Sequence, residues 1–439
     1  MSLVEQTIEK FRLHAAVVGV LGLGYAGLPV AFAFAEAGFK VLGFDIDNVK
    51  IEALNSGRSY LRHLSALRLR ASLNSGAFKA SSNFSDLISC DIAIMCVPTP
   101  LDDSRAPDLS SVINTARCVA GQLHRGQLIV LESTTYPGTT DEIVRPILET
   151  SGLKAGQDFF LAFSPEREDP GNAEFNVKNI PKLVGGVTPD CREVASAAYR
   201  EIVTRVVQVS SARVAEASKL LENTFRCVNV AMVNELKVVF ERMGINIWEV
   251  VEAAATKPFG FVPFSPGPGL GGHCIPIDPF YLSWKSRQYG VTPRLIEIAG
   301  EINSAMPNYV VDRIAEGLKL NGKVLKDSKS LLVGVAYKRE VEDVRESPAL
   351  AIINLLRAEG VDVEYHDPYV PVLRSRYLPA PMLSVNLTPG SVAGVDSVVI
   401  ITDHREIDYR ILAENARLVI DTRNATARRR DWGCPIVNA

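Results

Sequence analysis

The feature that most constrains the fold is a glycine-rich turn between a strand-like and a helix-like segment. Residues 15–21 (AAVVGVL) are a β-branched apolar run that ends directly in Gly22-Leu-Gly24-Tyr-Ala-Gly27, and residues 28–37 then have helical spacing. A second apolar run at 40–44 ends in Asp45, eighteen residues after the last glycine of the turn. Strand, glycine turn, helix and acid-terminated strand together predict a βαβ unit of a parallel, doubly wound sheet.

The chemistry of this turn suits the pyrophosphate of a dinucleotide. The glycines permit the tight turn, the approach of a phosphate to the backbone and the close packing of helix on strand. The start of the helix offers free amide donors and the positive end of its dipole. A carboxylate at Asp45 accepts hydrogen bonds from ribose hydroxyls and repels a 2′-phosphate, which predicts NAD rather than NADP. The alternative is a glycine turn without a ligand. The predicted cofactor-binding residues here are Gly22, Gly24, Tyr25, Ala26, Gly27 and Asp45.

Apolar runs and helical patterns continue to alternate after this unit. Runs at 91–97 and 127–131 flank a helical pattern at 109–123 and are apolar almost throughout, which is typical of strands inside a parallel sheet. Thr99 and Thr135 follow these two runs, at the strand ends where such sheets bind ligands. Both threonines are predicted to contact the nicotinamide half of the cofactor or, alternatively, to cap the following helices. Further strands at 159–163, 182–185 and 206–209 complete a first domain, 1–210.

A long helical pattern then begins near residue 212 and meets no proline until Pro258. A helix of this length commonly serves as a spine between domains and as a dimer seam. Lys219 and Asn223 are four residues apart and therefore share one face of it. Without a ligand to contact, both would be ordinary surface residues.

A glycine-rich loop carrying a single thiol follows the long helix. Five glycines and prolines in Gly267-Pro-Gly-Leu-Gly271-Gly predict an irregular backbone just before Cys274. Asp278 follows four residues later and would lie one helical turn away if a helix begins at the thiol, close enough to direct a water or a proton. The alternative is that Cys274 is a small buried apolar residue.

The last part of the chain contains a second α/β pattern. Strand-like runs at 330–335, 361–365, 397–401 and 417–420 alternate with helical patterns such as 348–359, without a glycine fingerprint. This unit is predicted to hold a different nucleotide or none. Lys338, Arg345 and Arg423 follow its strands and are cations suited to phosphates. The predicted fold class is α/β, with two Rossmann-like doubly wound domains (1–210 and 323–439) joined by a central long-helix domain (211–322).

Composition limits the classes of ligand and the cellular compartment that are expected for this chain. A net charge of −3 and a pI near 6.2 give no electrostatic footprint for nucleic acid or an anionic membrane. Seven scattered cysteines form no Cys-x-x-Cys pair, which predicts reduced thiols in a cytoplasm and no metal site. No apolar run approaches the roughly 18 residues that cross a bilayer. Small-molecule ligands are therefore expected.

Six short motifs resemble, in order, those of the UDP-glucose/GDP-mannose dehydrogenase family. They are Gly22-Leu-Gly-Tyr-Ala-Gly27, Ser164-Pro-Glu166, Lys219-Leu-Leu-Glu-Asn223, Gly271-Gly-His-Cys-Ile-Pro-Ile-Asp278, Ala336-Tyr-Lys338 with Asp343-Val-Arg345-Glu-Ser, and Asp421-Thr-Arg423-Asn. The resemblance covers essentially the whole chain. It is greatest to the bacterial branch that acts on N-acetylated UDP-hexosamines, above all UDP-N-acetylglucosamine.

The resemblance implies a four-electron oxidation of C6 of the sugar, from alcohol to acid, with two NAD⁺ reduced. Cys274 would hold the intermediate as a thiohemiacetal and then a thioester. Lys219 and Asn223 would stabilise charge on the C6 oxygen, and Asp278 would direct the water. Glu166 and Thr135 match family positions tied to that water and to proton handling.

The same matching assigns the substrate site and the assembly. Family members are dimers or higher oligomers, so a homodimer or larger homo-oligomer is implied. Arg345 is placed among the cofactor residues, although the nucleotide is an open alternative partner. His273 has no assigned role. The implied substrate-binding residues are Glu166, Arg167, Lys219, Asn223, Lys257, Phe264, Gly271, Lys338 and Arg423.

Other functions remain open at this point. A two-electron hydroxyacid dehydrogenase shares the first domain and the long helix but needs no thiol. A non-catalytic sensor of nucleotide sugars would bind a UDP-sugar without turnover. Within the family, UDP-glucose, UDP-N-acetylmannosamine and UDP-N-acetylgalactosamine are alternative substrates. The expected role of the favoured enzyme is bacterial surface polysaccharide biosynthesis.

Overall fold

The computed structural model describes residues 1–61, 64–102, 104–168, 174–272, 274–428 and 432–439. The chain forms two compact units. The first contains Met1–Glu222 and Trp284–Val291, and the second contains Asn223–Ser283 and Thr292–Ala439. The division into three domains at residues 210 and 322 stays a prediction.

The first unit is built on an eight-stranded sheet. Its strand order is β3-β2-β1-β4-β5-β6-β7-β8, and every neighbouring pair is parallel except β6 with β7. The strands are β1 (Val17–Leu21), β2 (Lys40–Phe44), β3 (Phe78–Ser81), β4 (Ile92–Met95), β5 (Leu128–Leu131), β6 (Phe160–Phe163), β7 (Lys182–Gly186) and β8 (Val206–Gln208). The parallel sheet predicted from the apolar runs is confirmed, and β3 was not predicted.

Helices complete the first unit. Its α-helices are α1 (Leu3–Arg12), α2 (Gly27–Glu36), α3 (Asn48–Asn55), α4 (Ala66–Asn74), α5 (Ser110–Ala120), α6 (Arg145–Leu148) and α7 (Pro189–Arg200). A π-helix at Thr139–Val144 and 3-10 turns at Phe84–Ser89 and Glu149–Ser151 lie between them. Strands β4, β5 and β6 are buried at every position, which explains why their sequences are apolar throughout rather than alternating.

The chain order reverses beside β1, which positions a ligand site. β1 pairs with β2 on one side and with β4 on the other, so that Leu21 at its end lies beside Phe44 and Met95. Ligands of doubly wound sheets bind at the carboxyl ends of strands where the order reverses. The glycine turn predicted to hold a dinucleotide follows Leu21 directly.

Two helices run from one unit into the other. Helix α8 (Ala212–Arg242) continues past Glu222, and α10 (Asp278–Arg287) continues past Ser283. The helical pattern that begins near residue 212 does not extend unbroken to Pro258. It turns at Gly244, which has φ +71°, and resumes as α9 (Ile247–Ala255).

The second unit combines these helices with a five-stranded parallel sheet of order β10-β9-β13-β14-β15. Its strands are β9 (Lys329–Val333), β10 (Asp362–His366), β13 (Ser397–Ile400), β14 (Val419–Asp421) and β15 (Ile436–Asn438), beside an antiparallel pair, β11 (Val372–Leu373) and β12 (Met382–Leu383). Its further helices are α11 (Arg294–Leu320), α12 (Pro348–Ala358), α13 (Pro389–Ala393) and α14 (Tyr409–Asn415). The predicted second α/β unit is confirmed, whereas β11, β12 and β15 were not predicted. No helix in the described parts of the chain is sufficiently long and apolar to span a bilayer.

Lys237 of α8 is buried in the second unit. Its amine donates to the Ala439 carbonyl and lies 5.8 Å from the centre of the Tyr309 ring. Burial, together with the nearby positive charge of Arg423, lowers the pKa of Lys237 to about 7, although two nearby carboxylates act in the opposite direction.

Lys237→Met removes this titrating amine and keeps a long side chain. Above pH 7 the folded wild-type amine is neutral, whereas the unfolded chain keeps the proton up to the ordinary pKa of 10.5. Because the unfolded state then binds more protons, the wild-type free energy of unfolding rises with pH relative to the variant, by up to about 1.4 kcal/mol per pH unit. Urea unfolding of both proteins at several pH values between 7 and 9 measures the difference. Parallel pH profiles would contradict it.

Candidate active site

The glycine turn after β1 has the shape that a dinucleotide site requires. A Cβ at Gly22, which has φ +93°, would lie 2.4 Å from the Cys96 carbonyl oxygen, and a Cβ at Gly27 would lie 1.9 Å from the Gly22 oxygen. At Gly22 and Gly27 a side chain would therefore clash with the backbone of the protein itself. A Cβ at Gly24 would meet nothing within 4 Å, so this stretch of backbone faces open space. A phosphate group fits there.

The surroundings of the turn also fit NAD. Ala26, the N-cap of α2, makes no side-chain capping bond, and Tyr25 precedes it in the turn. The carboxylate of Asp45 follows β2, where it accepts hydrogen bonds from the backbone N–H of Leu23 at 3.0 Å and of Asp47 at 3.0 Å. Amides without a side-chain cap bind phosphate, and a carboxylate in this position accepts ribose hydroxyls.

The two predicted threonines differ in their surroundings. The Thr99 hydroxyl donates to the Thr134 carbonyl at 2.8 Å, which ties the loop after β4 to the loop after β5. Thr135 is fully buried, and its hydroxyl has no hydrogen-bond partner among the described residues. The N-cap residues of the following helices are Leu109 and Gly138, so the capping alternative is wrong for both threonines. An unpartnered buried hydroxyl fits contact with a ligand or a water.

Lys219 and Glu166 meet within the first unit. The Lys219 side chain is 7% exposed, and its amine donates to the Glu166 carbonyl oxygen at 2.5 Å and lies 3.8 Å from Glu166 Oε2. The alternative of a solvent-exposed lysine is therefore wrong. The neighbouring Arg167 is held by Glu222 of α8 at 2.8 Å and by the Pro181 carbonyl at 2.7 Å.

In the second unit, the residue one turn further along α8 pairs with the predicted acid. Asn223 and Asp278 are both buried, and Asn223 Nδ2 donates to Asp278 Oδ2 at 2.5 Å. The backbone N–H of Asp278 donates to the Cys274 carbonyl at 2.8 Å, which confirms the predicted helical turn between thiol and acid. Cys274 is partly exposed, so a fully buried apolar cysteine does not describe it. His273 lies outside the described residues.

The loop before Cys274 packs too tightly for side chains. A Cβ at Gly271 would lie 2.8 Å from Tyr337 Cβ, and a Cβ at Gly272 would lie 2.8 Å from the Tyr337 ring. A Cβ at Gly267 would lie 2.5 Å from Arg423 Nη1. The backbone N–H of Gly272 donates to the Arg345 carbonyl at 3.0 Å. The glycines thus bring the loop against the residues that follow β9 and β14.

The three predicted cations of the second sheet, Lys338, Arg345 and Arg423, lie near the glycine loop or near Tyr337, which the loop contacts. Arg423 donates through Nε to the Ile401 carbonyl at 2.8 Å. Arg345 is paired with Asp343, with Nη2 2.6 Å from Oδ2. The Lys338 amine lies 5.9 Å from the centre of the Tyr337 ring.

Two predicted substrate residues lie on the segment before the glycine loop. Lys257 is exposed, with its amine 5.1 Å from the centre of the Phe259 ring. Phe264 is partly buried, and its ring packs edge-on to Phe225 of α8 at 5.6 Å.

The second sheet has an acid at the position of Asp45 but uses it differently. Asp367 follows β10 as Asp45 follows β2, and its side chain is fully buried. It accepts four backbone N–H groups, from Val335, Ala336, Tyr369 and Val370, at 2.7–3.1 Å, and its Oδ2 lies 3.2 Å from His404 Nε2. This carboxylate therefore has four backbone donors and a histidine, whereas Asp45 has two backbone donors and Lys50 at 3.4 Å.

Sequence reasoning missed a buried ion pair beneath the Glu166 loop. Lys182 Nζ lies 2.9 Å from Glu132 Oε2, and the two side chains are 10% and 0% exposed. The Tyr199 hydroxyl donates to Glu132, and Lys182 donates to the Pro165 carbonyl at 3.3 Å. The pair therefore supports the backbone immediately before Glu166. An acid directly after the all-apolar strand β5 was the available signal.

Glu168 was also missed. Burial, together with the neighbouring charge of Glu166, raises the pKa of Glu168 to about 7. Its carboxylate accepts the Val177 N–H at 3.0 Å. A carboxyl that exchanges its proton near neutral pH therefore lies two residues from Glu166.

The fold and these sites are those of a nucleotide-binding α/β protein, with a glycine turn after the first strand of one sheet and cations at the carboxyl edge of another. Residues 16–203, 213–305 and 331–428 match the NAD binding, central and UDP binding domains of the UDP-glucose/GDP-mannose dehydrogenase family. The chain belongs to this family of NAD-dependent nucleotide-sugar dehydrogenases, and the predicted resemblance and cofactor are confirmed.

Two curated relatives and one solved structure illustrate the similarity. UDP-N-acetyl-D-glucosamine 6-dehydrogenase of Pseudomonas aeruginosa is 38% identical over 355 residues, covering 80% of this chain and 83% of that protein. UDP-N-acetyl-D-mannosamine dehydrogenase of Pyrococcus horikoshii is 36% identical over 416 residues, covering 93% and 95%. The solved structure of UDP-D-ManNAc dehydrogenase from Pyrococcus horikoshii superposes with a TM-score of 0.87 at 33% identity, covering 96% of this chain and 98% of that chain.

Lys182→Met tests the buried ion pair. The variant leaves Glu132 buried without its cation, which is expected to lower the free energy of unfolding by about 3–5 kcal/mol. Urea unfolding measures the loss. Lys178→Met is the matched control, because the Lys178–Glu36 pair at 3.0 Å is solvent-exposed on the lysine side and should contribute less than about 1 kcal/mol. Equal stability of the two variants would contradict the interpretation.

Proposed function

We propose that this protein oxidises the C6 hydroxymethyl group of a UDP-hexosamine to a carboxylate, with UDP-N-acetylglucosamine as substrate and UDP-N-acetylglucosaminuronate as product. The observation that carries the proposal is the arrangement around Cys274. A partly exposed thiol lies one helical turn from a buried carboxylate, Asp278, which is bonded to the Asn223 amide. Nucleophile, acid and amide donor are the groups that a thioester route requires.

The glycine turn and Asp45 hold the cofactor, together with Tyr25, Ala26, Thr99 and Thr135. Arg345 is assigned to the same group, although its pairing with Asp343 leaves the nucleotide as an alternative contact. When bound by these residues, NAD⁺ would supply the hydride acceptor for both oxidation steps. The residues of the chain bind it, orient it and handle the protons.

Cys274 keeps the substrate attached between the two oxidations. The first oxidation converts the C6 alcohol to an aldehyde, releasing one hydride and one proton. The thiolate adds to the aldehyde carbon, so that a C–S bond forms as the C=O π bond breaks, and the oxygen takes up a proton to give a thiohemiacetal. The second oxidation removes the C6 hydride and the hydroxyl proton, which leaves a thioester. Water then adds its oxygen to the thioester carbon and the C–S bond breaks, which releases the carboxylate; one proton of the water restores the thiol and the other is released.

The neighbouring side chains stabilise charge and move protons. Lys219 and Asn223 donate toward the C6 oxygen, where negative charge develops in each step. Asp278 directs the attacking water, and Glu166 and Thr135 take part in its placement and in proton transfer. The buried unpartnered hydroxyl of Thr135 and the Lys219–Glu166 contact support these roles.

The UDP group is assigned to the second sheet, in line with the family match of residues 331–428. Lys338 and Arg423 bind its phosphates and nucleoside. The remaining substrate contacts are assigned to Arg167, Lys257, Phe264 and Gly271. Arg167 is already fixed by Glu222, so it contributes through that pair rather than as an independent cation.

We also infer a homodimer or larger homo-oligomer around α8. Leu221, Phe225, Met232 and Val239 are spaced by four, seven and seven residues and are 68%, 48%, 43% and 44% exposed. An apolar stripe of this kind on a long helix favours contact with a second copy of the chain. The cytoplasmic location and the role in surface polysaccharide biosynthesis stay predictions.

A substrate panel tests the choice of sugar. NADH formation is measured with UDP-glucose, UDP-N-acetylglucosamine, UDP-N-acetylgalactosamine, UDP-N-acetylmannosamine and GDP-mannose. The highest kcat/KM is expected for UDP-N-acetylglucosamine, with two NADH per sugar. A higher value for another sugar would overturn the substrate, one NADH with a released keto product would indicate a hydroxyacid dehydrogenase, and binding without turnover would indicate a sensor.

Cys274→Ser tests the covalent route. The hydroxyl is a weaker nucleophile, so we expect kcat for the complete oxidation to fall by at least about a hundredfold. Mass spectrometry should detect a sugar adduct on Cys274 in the wild type and none in the variant. Cys118→Ser, at an exposed cysteine on α5, is the control and should keep wild-type rates. Wild-type turnover by Cys274→Ser would exclude the thioester.

A further inference from the structure

Two buried asparagines connect the long helices of the second unit to the glycine loop. Asn234 of α8 and Asn303 of α11 are 0% and 4% exposed. Asn234 Oδ1 accepts the backbone N–H of Gly267 at 2.9 Å, and Asn234 Nδ2 donates to Asn303 Oδ1 at 2.9 Å. Asn303 Nδ2 in turn donates to the Cys227 carbonyl at 3.1 Å. We call these four groups the amide relay.

The ends of the amide relay fix its direction. A backbone N–H only donates and a backbone carbonyl only accepts, so both side-chain amides have one orientation that satisfies every bond. Polar side chains inside a core disfavour folding unless they are hydrogen-bonded, and apolar residues would otherwise suit these helix faces. The relay therefore requires a reason beyond helix packing.

That reason lies at Gly267. The segment from 261 to 272 has no regular secondary structure, so its buried backbone groups depend on side chains and other loops for partners. Gly267 is buried, its N–H is bound by Asn234, and its Cα side lies directly against the guanidinium of Arg423. The far end of the loop is held by the Arg345 carbonyl through Gly272.

The loop that ends at Cys274 is thus fastened at two points. The second fastening uses backbone groups on both sides and is insensitive to side-chain identity. The first depends on the side chains of Asn234 and Asn303, which are not among the predicted nucleotide-binding residues. A change at Asn234 is expected to release the start of the loop while leaving its end attached.

We propose that Asn234 and Asn303 are positioning residues for the reaction at Cys274. The amide relay fixes the path of the glycine loop. This path sets the reactivity of the Cys274 thiol and the position of the Arg423 side chain. Asn234 has the larger role because it binds the loop itself. The kinetic part of the proposal rests on the proposed function, whereas the effect on thiol reactivity does not.

The test uses the full chain and two readouts. Asn234→Ala removes the acceptor for Gly267. We expect the rate of Cys274 alkylation by iodoacetamide, followed by peptide mass spectrometry across pH 6–9, to change by at least about fivefold or its pH midpoint to shift. We expect kcat to fall by about ten- to a hundredfold, since small displacements of a reacting group reduce rates to this degree. The Kd for NAD should stay within about twofold, because the glycine turn after β1 is unchanged.

Matched variants separate positioning from loss of stability. Asn303→Asp keeps an acceptor for Asn234 but replaces the donor to Cys227 with a carboxylate oxygen that faces the same carbonyl. Because the bond to Gly267 is kept, its effect on alkylation should still be smaller than that of Asn234→Ala. Asn234→Asp keeps an acceptor for Gly267 and should recover part of the alkylation rate. Ile314→Ala, in the core of the second unit, should lower Tm without altering Cys274 alkylation. Cys118 on α5 is an internal reference that should react equally in every variant.

Each result decides the proposal. Wild-type alkylation and kcat in Asn234→Ala would overturn it, as would an equal change in Ile314→Ala. If Asn234→Ala does not fold, the comparison of Asn234→Asp with Asn303→Asp decides: identical alkylation profiles for wild type and both variants would overturn the relay. Altered alkylation without any dehydrogenase activity in the wild type would support the relay and reject the proposed function.

Discussion

The second unit depends on one steric constraint, the absence of room for side chains along the loop that precedes Cys274. Gly271 and Gly272 lie against Tyr337, and Gly267 lies against Arg423. Because these three glycines meet Tyr337 and Arg423 with backbone atoms alone, the loop takes its shape from neighbouring residues rather than from secondary structure of its own. The placement of Cys274 consequently depends on contacts with both the helices and the second sheet of the unit.

In the first unit, buried charged groups hold the loops that carry predicted site residues. Its loops after β5 and β6 carry Thr135 and Glu166, and each is tied to interior carboxylates. Glu132 and Lys182 support the backbone before Glu166, while the Glu216 carboxylate of α8 accepts the N–H groups of Gly138 and Thr140 at 2.6 and 2.9 Å. Burial raises the pKa of Glu216 to about 7 despite these donors. The loops that carry Thr135 and Glu166 are therefore supported by charged groups in the interior of the unit.

Local sequence predicted much of this arrangement. Apolar runs identified the strands because both faces of the parallel sheets are buried, and the spacing of Cys274 and Asp278 predicted the helical turn between them. The supporting contacts were not predictable in the same way. Lys182 pairs with Glu132, 50 residues earlier, and Asn234 pairs with Asn303, 69 residues later. Neither pair follows the periodicity of a helix or a strand, so local sequence patterns do not reveal it. Only a folded structure reveals which distant polar residues share an interior. The roles assigned to the site residues stay predictions.

The surroundings of Asp367 show how two similar sheets can differ in the nucleotide they accept. Both sheets place an acid after the strand beside their first strand, but only the first sheet also carries the glycine turn. In the second sheet, four backbone amides and a histidine already hold the carboxylate of Asp367. Two parallel-stranded frameworks can thus serve different nucleotides when the turn after the first strand and the bonding of this acid differ.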